Sequence, residues 1–416
     1  MNTTIRNARF WLATLVSAIL VGWPSLILAQ QETIDLLKRQ MAEMQATMKK
    51  MVERLEQLEK ERTNAEGKIA NVEKSVKTMQ SAPAALNPAI GMALDMTAEH
   101  RARAGGDFNF RAAELGVSAS IDPYARAYAF FTGSKDDFEV EEAAIITTSL
   151  PWNLQARAGR FFAEFGRLAK FHPHEYAFVN TPLSLERIVG GESKADGVEL
   201  SYLFPTPFFL RGTVGGYNKL GAENDRLDDT KSRAWSRFTY LGRLHTYFDV
   251  GDHHSVELGS SLAFTPSIRI PSDPHGGNRT LTGVDVTYRY QPLDSTLYQG
   301  FTLGAEFFGN SERVERPSGF RRMFAPGGYA YGEAKINREW AAGFLYDNAP
   351  SLRSPGKKTV GYSPFITWTW SEFNRLRFQY SYLDDNVREE KADRGHQFFL
   401  QWTTALGSHT HGFRTR

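Results

Sequence analysis

Two imidazoles and a carboxylate fall within four residues at His172-Pro173-His174-Glu175. Imidazole nitrogen and carboxylate oxygen together suit zinc or copper, so His172, His174 and Glu175 are the candidate metal ligands. The intervening proline leaves their shared geometry open, and packing or lining a cavity is the plainer role for them. No cofactor is expected beyond transient zinc at these residues. The chain has no cysteine, which excludes thiol-anchored haem, iron–sulfur clusters and cysteine zinc sites. The sequence pairs no nucleophile with a base, and Gly215-Gly216 and Gly327-Gly328 are bare doublets rather than phosphate-binding loops. The expectation is a binding or transport protein, not an enzyme.

A second set of chemistry-bearing residues is spread over stretches that alternate at a period of two. Parity places Arg126, Arg157, Arg237, Arg243, Arg289, Arg375 and Arg377 on the polar faces, with few acids (Glu114 and Asp285) among them. Arg167, Lys170 and Arg187 fall between two such stretches. Guanidinium groups stay charged at any relevant pH and bind carboxylate or phosphate oxygens well. If the polar faces line a lumen, these cations favour anionic solutes. Paired with loop carboxylates, the same arginines would instead brace the wall.

The elements that must position these groups are strands. WNLQARAGRFFAEF and GVELSYLF alternate on either side of the thirty residues 167–196, which carry neither period. A loop that long in a compact domain is usually functional, and 166–196 is expected to constrict a channel. From Asn87 onward, tight turns such as Leu150–Asn153, Phe204–Pro207 and Ser371–Asn374 alternate with longer stretches rich in Gly, Asp, Lys and Ser. Seven short turns and eight loops, with 271–278 and 313–320 among the loops, join about sixteen strands, the bacterial outer-membrane pattern. The apolar face carries Val284, Val286, Tyr288 and Tyr290 in one strand and Phe398, Leu400, Trp402 and Leu406 in another. A soluble sandwich would alternate too, but aromatic-rich faces and an export signal favour a closed barrel in a bilayer.

Residues 1–29 read as a secretory signal peptide: Arg6 and Arg9, an apolar run, then Ala29. The net charge of +2 is accounted for by those two arginines, so the rest is neutral and nucleic acid is not an expected partner. Residues 30–80 repeat apolar residues at 3-4 spacing from Ile34 to Met79, interrupted only by Arg62. That is a coiled-coil seam, which requires an oligomer. The spacing does not choose between two strands and three; a barrel partner suggests three. Residues 81–87 form a linker, and 88–416 the barrel.

This layout, with AAELGVSASIDPYARA (112–127), VEEAAIITTSLPWNLQARAGRFFAEFGRL (140–168), HPHEYAFVNTPL (172–183) and FFLQWTTALGSHTHGF (398–413), resembles the phosphate-selective porin O and P superfamily. It is most similar to the porin-like relatives labelled zinc-regulated outer-membrane proteins. The resemblance implies an outer-membrane homotrimer, with its coiled coil in the periplasm and loop 166–196 narrowing each pore. The expected function is passive diffusion of small hydrophilic, anionic solutes. Two alternatives remain: a barrel acting as scaffold or sheath for a periplasmic partner, and a metal-ion uptake channel. The loop offers only Arg167, Lys170, Arg187 and Lys194 as cations, fewer than the lysine-rich mouth of the anion-selective members.

Overall fold

A computed structural model describes residues 88–407, apart from 136, 222–233, 271–272, 293–297, 317–318, 353, 355 and 387–393, together with 48–50, 54 and 57. The expected signal peptide (1–29) and linker (81–87) lie outside the described residues. So does the expected coiled coil, except for those five positions, which are helical. The chain divides into two units, Met1–Pro83 and Ala84–Arg416, and the second carries the strands.

Those strands are β1 (Ala89–Arg101), β2 (Gly105–Ser120), β3 (Ala125–Gly133), β4 (Phe138–Thr147), β5 (Leu154–Phe162), β6 (Lys194–Leu203), β7 (Phe209–Tyr217) and β8 (Thr239–Val250). They continue as β9 (His254–Ile270), β10 (Asp273–Tyr290), β11 (Gly300–Arg316), β12 (Gly319–Lys335), β13 (Trp340–Pro350), β14 (Lys358–Trp368), β15 (Asn374–Asp385) and β16 (Gly395–Gly407). Each pairs with its sequence neighbours, and β16 returns to β1 in a closed antiparallel barrel. Closure runs from Gly91 opposite Gly407 to Arg101 opposite Gln397, so every strand is paired on both sides and no edge is left.

Alternation decides what faces where. In β15, Arg375, Arg377, Gln379 and Ser381 are buried inside, while Phe378 and Tyr382 are exposed outside. In β16, Gln397, Gln401 and Thr403 point in, and Phe398, Leu400 and Trp402 point out. Val284 is 58% exposed and its cross-strand partner Phe307 is 56% exposed, on a surface that is apolar around the barrel. Such a surface is costly in water and suits hydrocarbon. Stacked or tilted rings of Trp340, Trp368, Trp370 and Trp402 gather at the short-turn end, as in an interfacial girdle.

In two stretches expected as loops, the described residues 273–278 and 313–316 with 319–320 lie in strands. Within 313–320, β11 and β12 stay paired out to Arg316 opposite Gly319, whereas within 271–278 the pairing of β10 with β9 is irregular, with register shifts on both sides of Gly277 and a last pair at Asp273 opposite Ile270. These strands have 17 or 18 residues, beyond the 9–11 or so that span a bilayer. Hairpin pairing therefore continues past the apolar band, and polar composition there marks solvent rather than a loop. The structure fixes a test of the outer face. Phe307→Arg should cost ~2–4 kcal/mol of unfolding free energy from phospholipid vesicles. A cost near zero would show that this face does not meet lipid.

Candidate functional site

Residues 163–193, between β5 and β6, lie across the lumen. The segment expected as irregular contains two 3-10 turns (Leu168–Lys170 and Pro173–Glu175) and a short helix, α1 (Leu183–Val189). Its C-terminal limit moves too, since Lys194–Asp196 already pair with β5. Gly190 ends α1 at φ 97°, a left-handed cap that favours glycine. Gly166, at φ +62°, begins the excursion, and a Cβ there would lie 2.5 Å from a Glu306 carboxylate oxygen. Ser193 ties the two ends together: its hydroxyl donates to Ala163 O (2.7 Å) and Ala169 O (3.1 Å).

The segment carries its own core. Phe165, Phe178, Leu185 and Ile188 are completely buried, and they meet Phe308, Tyr331, Leu345 and Phe365 from the wall. Burying each such side chain contributes ~1.5–3 kcal/mol. The wall answers the segment's backbone group by group. Glu306 accepts from the amides of Arg167 (2.9 Å) and Leu168 (2.6 Å). Asp347 accepts from the amides of Leu183 and Ser184. Gln379 accepts from Val179 N–H at 2.7 Å. Arg111 and Arg377 donate to Val179 O (2.7 Å) and Phe178 O (2.9 Å), Arg279 donates to Ile188 O (2.6 Å), and Arg375 to His174 O.

The sequence-predicted cations are thereby placed. Arg375 and Arg377 hold the segment's carbonyls and are 4% and 1% exposed. Arg243 makes a bidentate bridge to Asp285 (2.7 and 2.9 Å) and also donates to Ser261. Arg157 pairs with Glu199, Arg167 and Arg289 with Glu257, and Lys170 with Glu164 at 2.7 Å. Arg187 donates to Ala349 O. Arg126 is exposed at the turn end of β3, and Arg237 is exposed in the 3-10 turn Trp235–Arg237 ahead of β8, not on a strand. The polar interior also holds more acids than sequence parity showed: Asp95, Glu141, Glu142, Glu199, Glu306, Glu312 and Asp347 are all buried. Beside Glu164, burial disfavours the carboxylate, but Lys170 and Arg211 outweigh it and hold its carboxyl below the usual range.

Of the three sequence-predicted ligands, His172 and His174 come together, their rings stacked at 5.5 Å. Glu175 turns back to accept from His172 N–H (2.9 Å) and caps its own turn. The carboxylates that face the imidazoles come from the wall. His172 Nδ1 lies 3.3 Å from Glu114 Oε2 on β2 and 3.3 Å from Glu141 Oε2 on β4. Its Nε2 lies 4.0 Å from Glu142, and His174 Nδ1 is 3.8 Å from Glu114. Burial opposes charge on His172, but Glu114, Glu141 and Glu175 outweigh that and hold the imidazolium well above its ordinary range.

Sequence parity allows only one of two adjacent residues to face inward, yet Glu141 and Glu142 both do. A bulge is the reason: β3 pairs Phe130 with Glu142 and Phe131 with Val140, leaving Glu141 as the extra residue. A second bulge makes Arg111 the extra residue on β2, where it meets Asp95 at 3.3 Å. Two consecutive acids in β4 were the available signal.

Together, the closed sixteen-strand antiparallel barrel, the apolar exterior and the polar interior crossed by one long segment define a barrel of the porin type. No family model matches the chain. A protein of Aquifex aeolicus (strain VF5), described as an uncharacterized protein, is 30% identical over 331 residues, which cover 73% of this chain and 69% of that one. The chain belongs to the same family as that protein. Three solved structures show the same fold. The trimer form of OmpT, an outer membrane protein of Vibrio cholerae, is 11% identical with a TM-score of 0.51, over 77% of this chain and 99% of that one. An anion-selective porin from Comamonas acidovorans is 11% identical with a TM-score of 0.53, over 77% and 99%. The outer membrane channel DcaP of Acinetobacter baumannii is 11% identical with a TM-score of 0.53, over 77% and 96%.

The wall anchors of the segment generate a direct test. Asp347→Ala removes the acceptor of two buried amides and should destabilise the segment by ~1–3 kcal/mol. Hydrogen exchange at residues 183–185 should accelerate correspondingly, and unchanged protection would show that Asp347 does not hold α1 in place.

Proposed function

We propose that this chain is an outer-membrane channel of the porin type, passing small hydrophilic solutes through the lumen of each barrel at a rate limited by residues 163–193. The observation that carries this reading is the inside-out distribution of polarity. Arginines, carboxylates and amides point into a closed barrel whose outer face is apolar. A transport role rather than catalysis follows from that reading. The preference for anions expected from the sequence rests on exposed Arg126 and Arg237, because the other predicted cations are engaged by carboxylates or carbonyls. A modest anion preference is therefore proposed, without specificity for phosphate. Membership of the phosphate-selective superfamily, a homotrimeric assembly and a periplasmic coiled coil at 30–80 belong to the same proposal. The trimer form of the Vibrio cholerae protein supports the oligomeric part.

One observation favours the second reading, a barrel that serves as scaffold for a periplasmic partner. The segment across the lumen buries an apolar core there, and such a core excludes water. Single-channel recording in planar bilayers separates the two. The channel reading predicts small steps with a reversal potential shifted weakly towards anions under a salt gradient. Shortening residues 167–192 should then enlarge each step several-fold. Silence from a folded barrel both before and after shortening would overturn it in favour of the scaffold.

Deleting residues 31–80 tests the oligomer. Trimers should weaken on non-denaturing gels while the barrel's heat-modifiable mobility persists. Unchanged trimers would remove the coiled coil from assembly.

A further inference from the structure

We propose that Glu114, Glu141 and His172, with His174 as fourth donor, form a divalent-metal site of zinc type. The ion would pin the lumen-crossing segment to β2 and β4. The inference stands on the geometry of the wall and does not depend on whether the barrel conducts. Three donor atoms, one each from Glu114, Glu141 and His172, lie within 4.8 Å of one another, and all three residues are buried.

The spacing of these donors fits a metal as the bridging charge. Two carboxylate oxygens stand at the same 3.3 Å from a single His172 Nδ1. One ring nitrogen carries one hydrogen, and a charge-assisted N–H to carboxylate bond closes to about 2.7–2.9 Å. Zinc binds nitrogen and oxygen at about 2.0–2.2 Å in a tetrahedron, which sets neighbouring donors about 3.3 Å apart. Both nitrogen–oxygen pairs at His172 Nδ1 already have that spacing. Glu114 Oε2 lies 3.8 Å from His174 Nδ1, which makes that imidazole the proposed fourth donor.

The surroundings fit a metal site as well. Thr132 donates its hydroxyl to Glu141 Oε2, which orients that carboxylate from outside the ligand set. Phe130 and Phe162 pack on the His172 ring at 5.7 and 4.9 Å, closing the site from water. Glu142 is held separately by Tyr128 OH (3.1 Å) and Phe162 N–H (3.1 Å). Four carboxylates, Glu114, Glu141, Glu142 and Glu175, thus surround two imidazoles in an enclosed space. A dication bound by Glu114 and Glu141 would neutralise two of those charges where desolvation makes them costly. On binding, the metal takes the lone pair of His172 Nδ1, and the proton that this nitrogen carried leaves to solvent.

Because the site is enclosed, loading is best done during folding. The full chain is refolded from urea into detergent with excess cobalt or zinc, freed of loose metal, and assayed for metal content and for the visible spectrum of cobalt. A single ion per chain and a tetrahedral cobalt spectrum are expected. His172→Gln and Glu141→Gln should each weaken binding at least ~10-fold. Changing both turn residues, His253→Asn and His254→Asn, should leave it intact. Heat-modifiable mobility confirms folding of each variant, and Glu114→Gln stands in for any that fails. Retention below ~0.1 ion per chain in the folded wild type would overturn the site. So would binding that the ligand variants leave unchanged. Conductance is recorded separately, so a silent barrel that binds one ion would count against the channel and not against the metal.

Discussion

A chain segment enclosed in a barrel must find a partner for each of its peptide groups, and that constraint organises this molecule. Burying an unsatisfied amide or carbonyl costs ~1–3 kcal/mol, so a segment of about thirty residues cannot enter the lumen on apolar contacts alone. The wall meets it with charged side chains rather than neutral ones. Glu306 and Asp347 accept from successive amides, as a capping carboxylate does, and Arg375, Arg377 and Arg279 donate to carbonyls. Charge-assisted hydrogen bonds are the stronger kind, and each fixes a different stretch of the segment. The inward arginines and acids therefore shape the lumen by holding what fills it.

This arrangement explains why charge counting along strands overstated the field in the lumen. Arg243 and Asp285 form a closed bidentate pair, and Arg157 pairs with Glu199 through one guanidinium nitrogen. Paired charges of this sort cancel at a distance, so a solute approaching the mouth senses what remains exposed. Of the sequence-predicted cations, Arg126 and Arg237 remain exposed, and both sit near strand ends. Selectivity would thus be set at the mouths, while the middle of the barrel is set by packing.

Much of the barrel could be read directly from the chain. The period of two placed Val284, Phe398 and Trp402 outside and Asp285, Arg377 and Gln401 inside, and the structure has all six there. Short turns at 204–208, 251–253 and 369–373 separate the strands as composition indicated. Polarity misled at 313–320, where β11 and β12 remain hydrogen-bonded beyond the apolar band. Local sequence carries no mark of where the bilayer ends, because backbone pairing does not require apolar side chains. The metal candidates were half legible. His172 and His174 announced themselves by spacing, whereas Glu114 and Glu141 reach them from strands 31 or more residues earlier in the chain. Parity also forbade placing Glu141 and Glu142 on one face, and only the bulge lifts that restriction.

The two bulges sit where the segment meets the wall, and their positions are physically linked to it. On β2 the extra residue is Arg111, which reaches Val179 O and Asp95. On β4 it is Glu141, which reaches His172. A regular ladder offers one inward side chain every second residue, spaced ~6.6 Å along the strand. The stretch His172–Val179 presents imidazoles and carbonyls more densely than that. A bulge supplies an additional inward group at a chosen point and turns the strand locally, at the expense of one unpaired position. Bulges add inward groups on β2 and β4, whereas β13 and β15 dock the segment through Asp347, Arg375, Arg377 and Gln379 with no shift of register. The extra residues are thus local additions to a wall whose regular ladder already holds most of the segment.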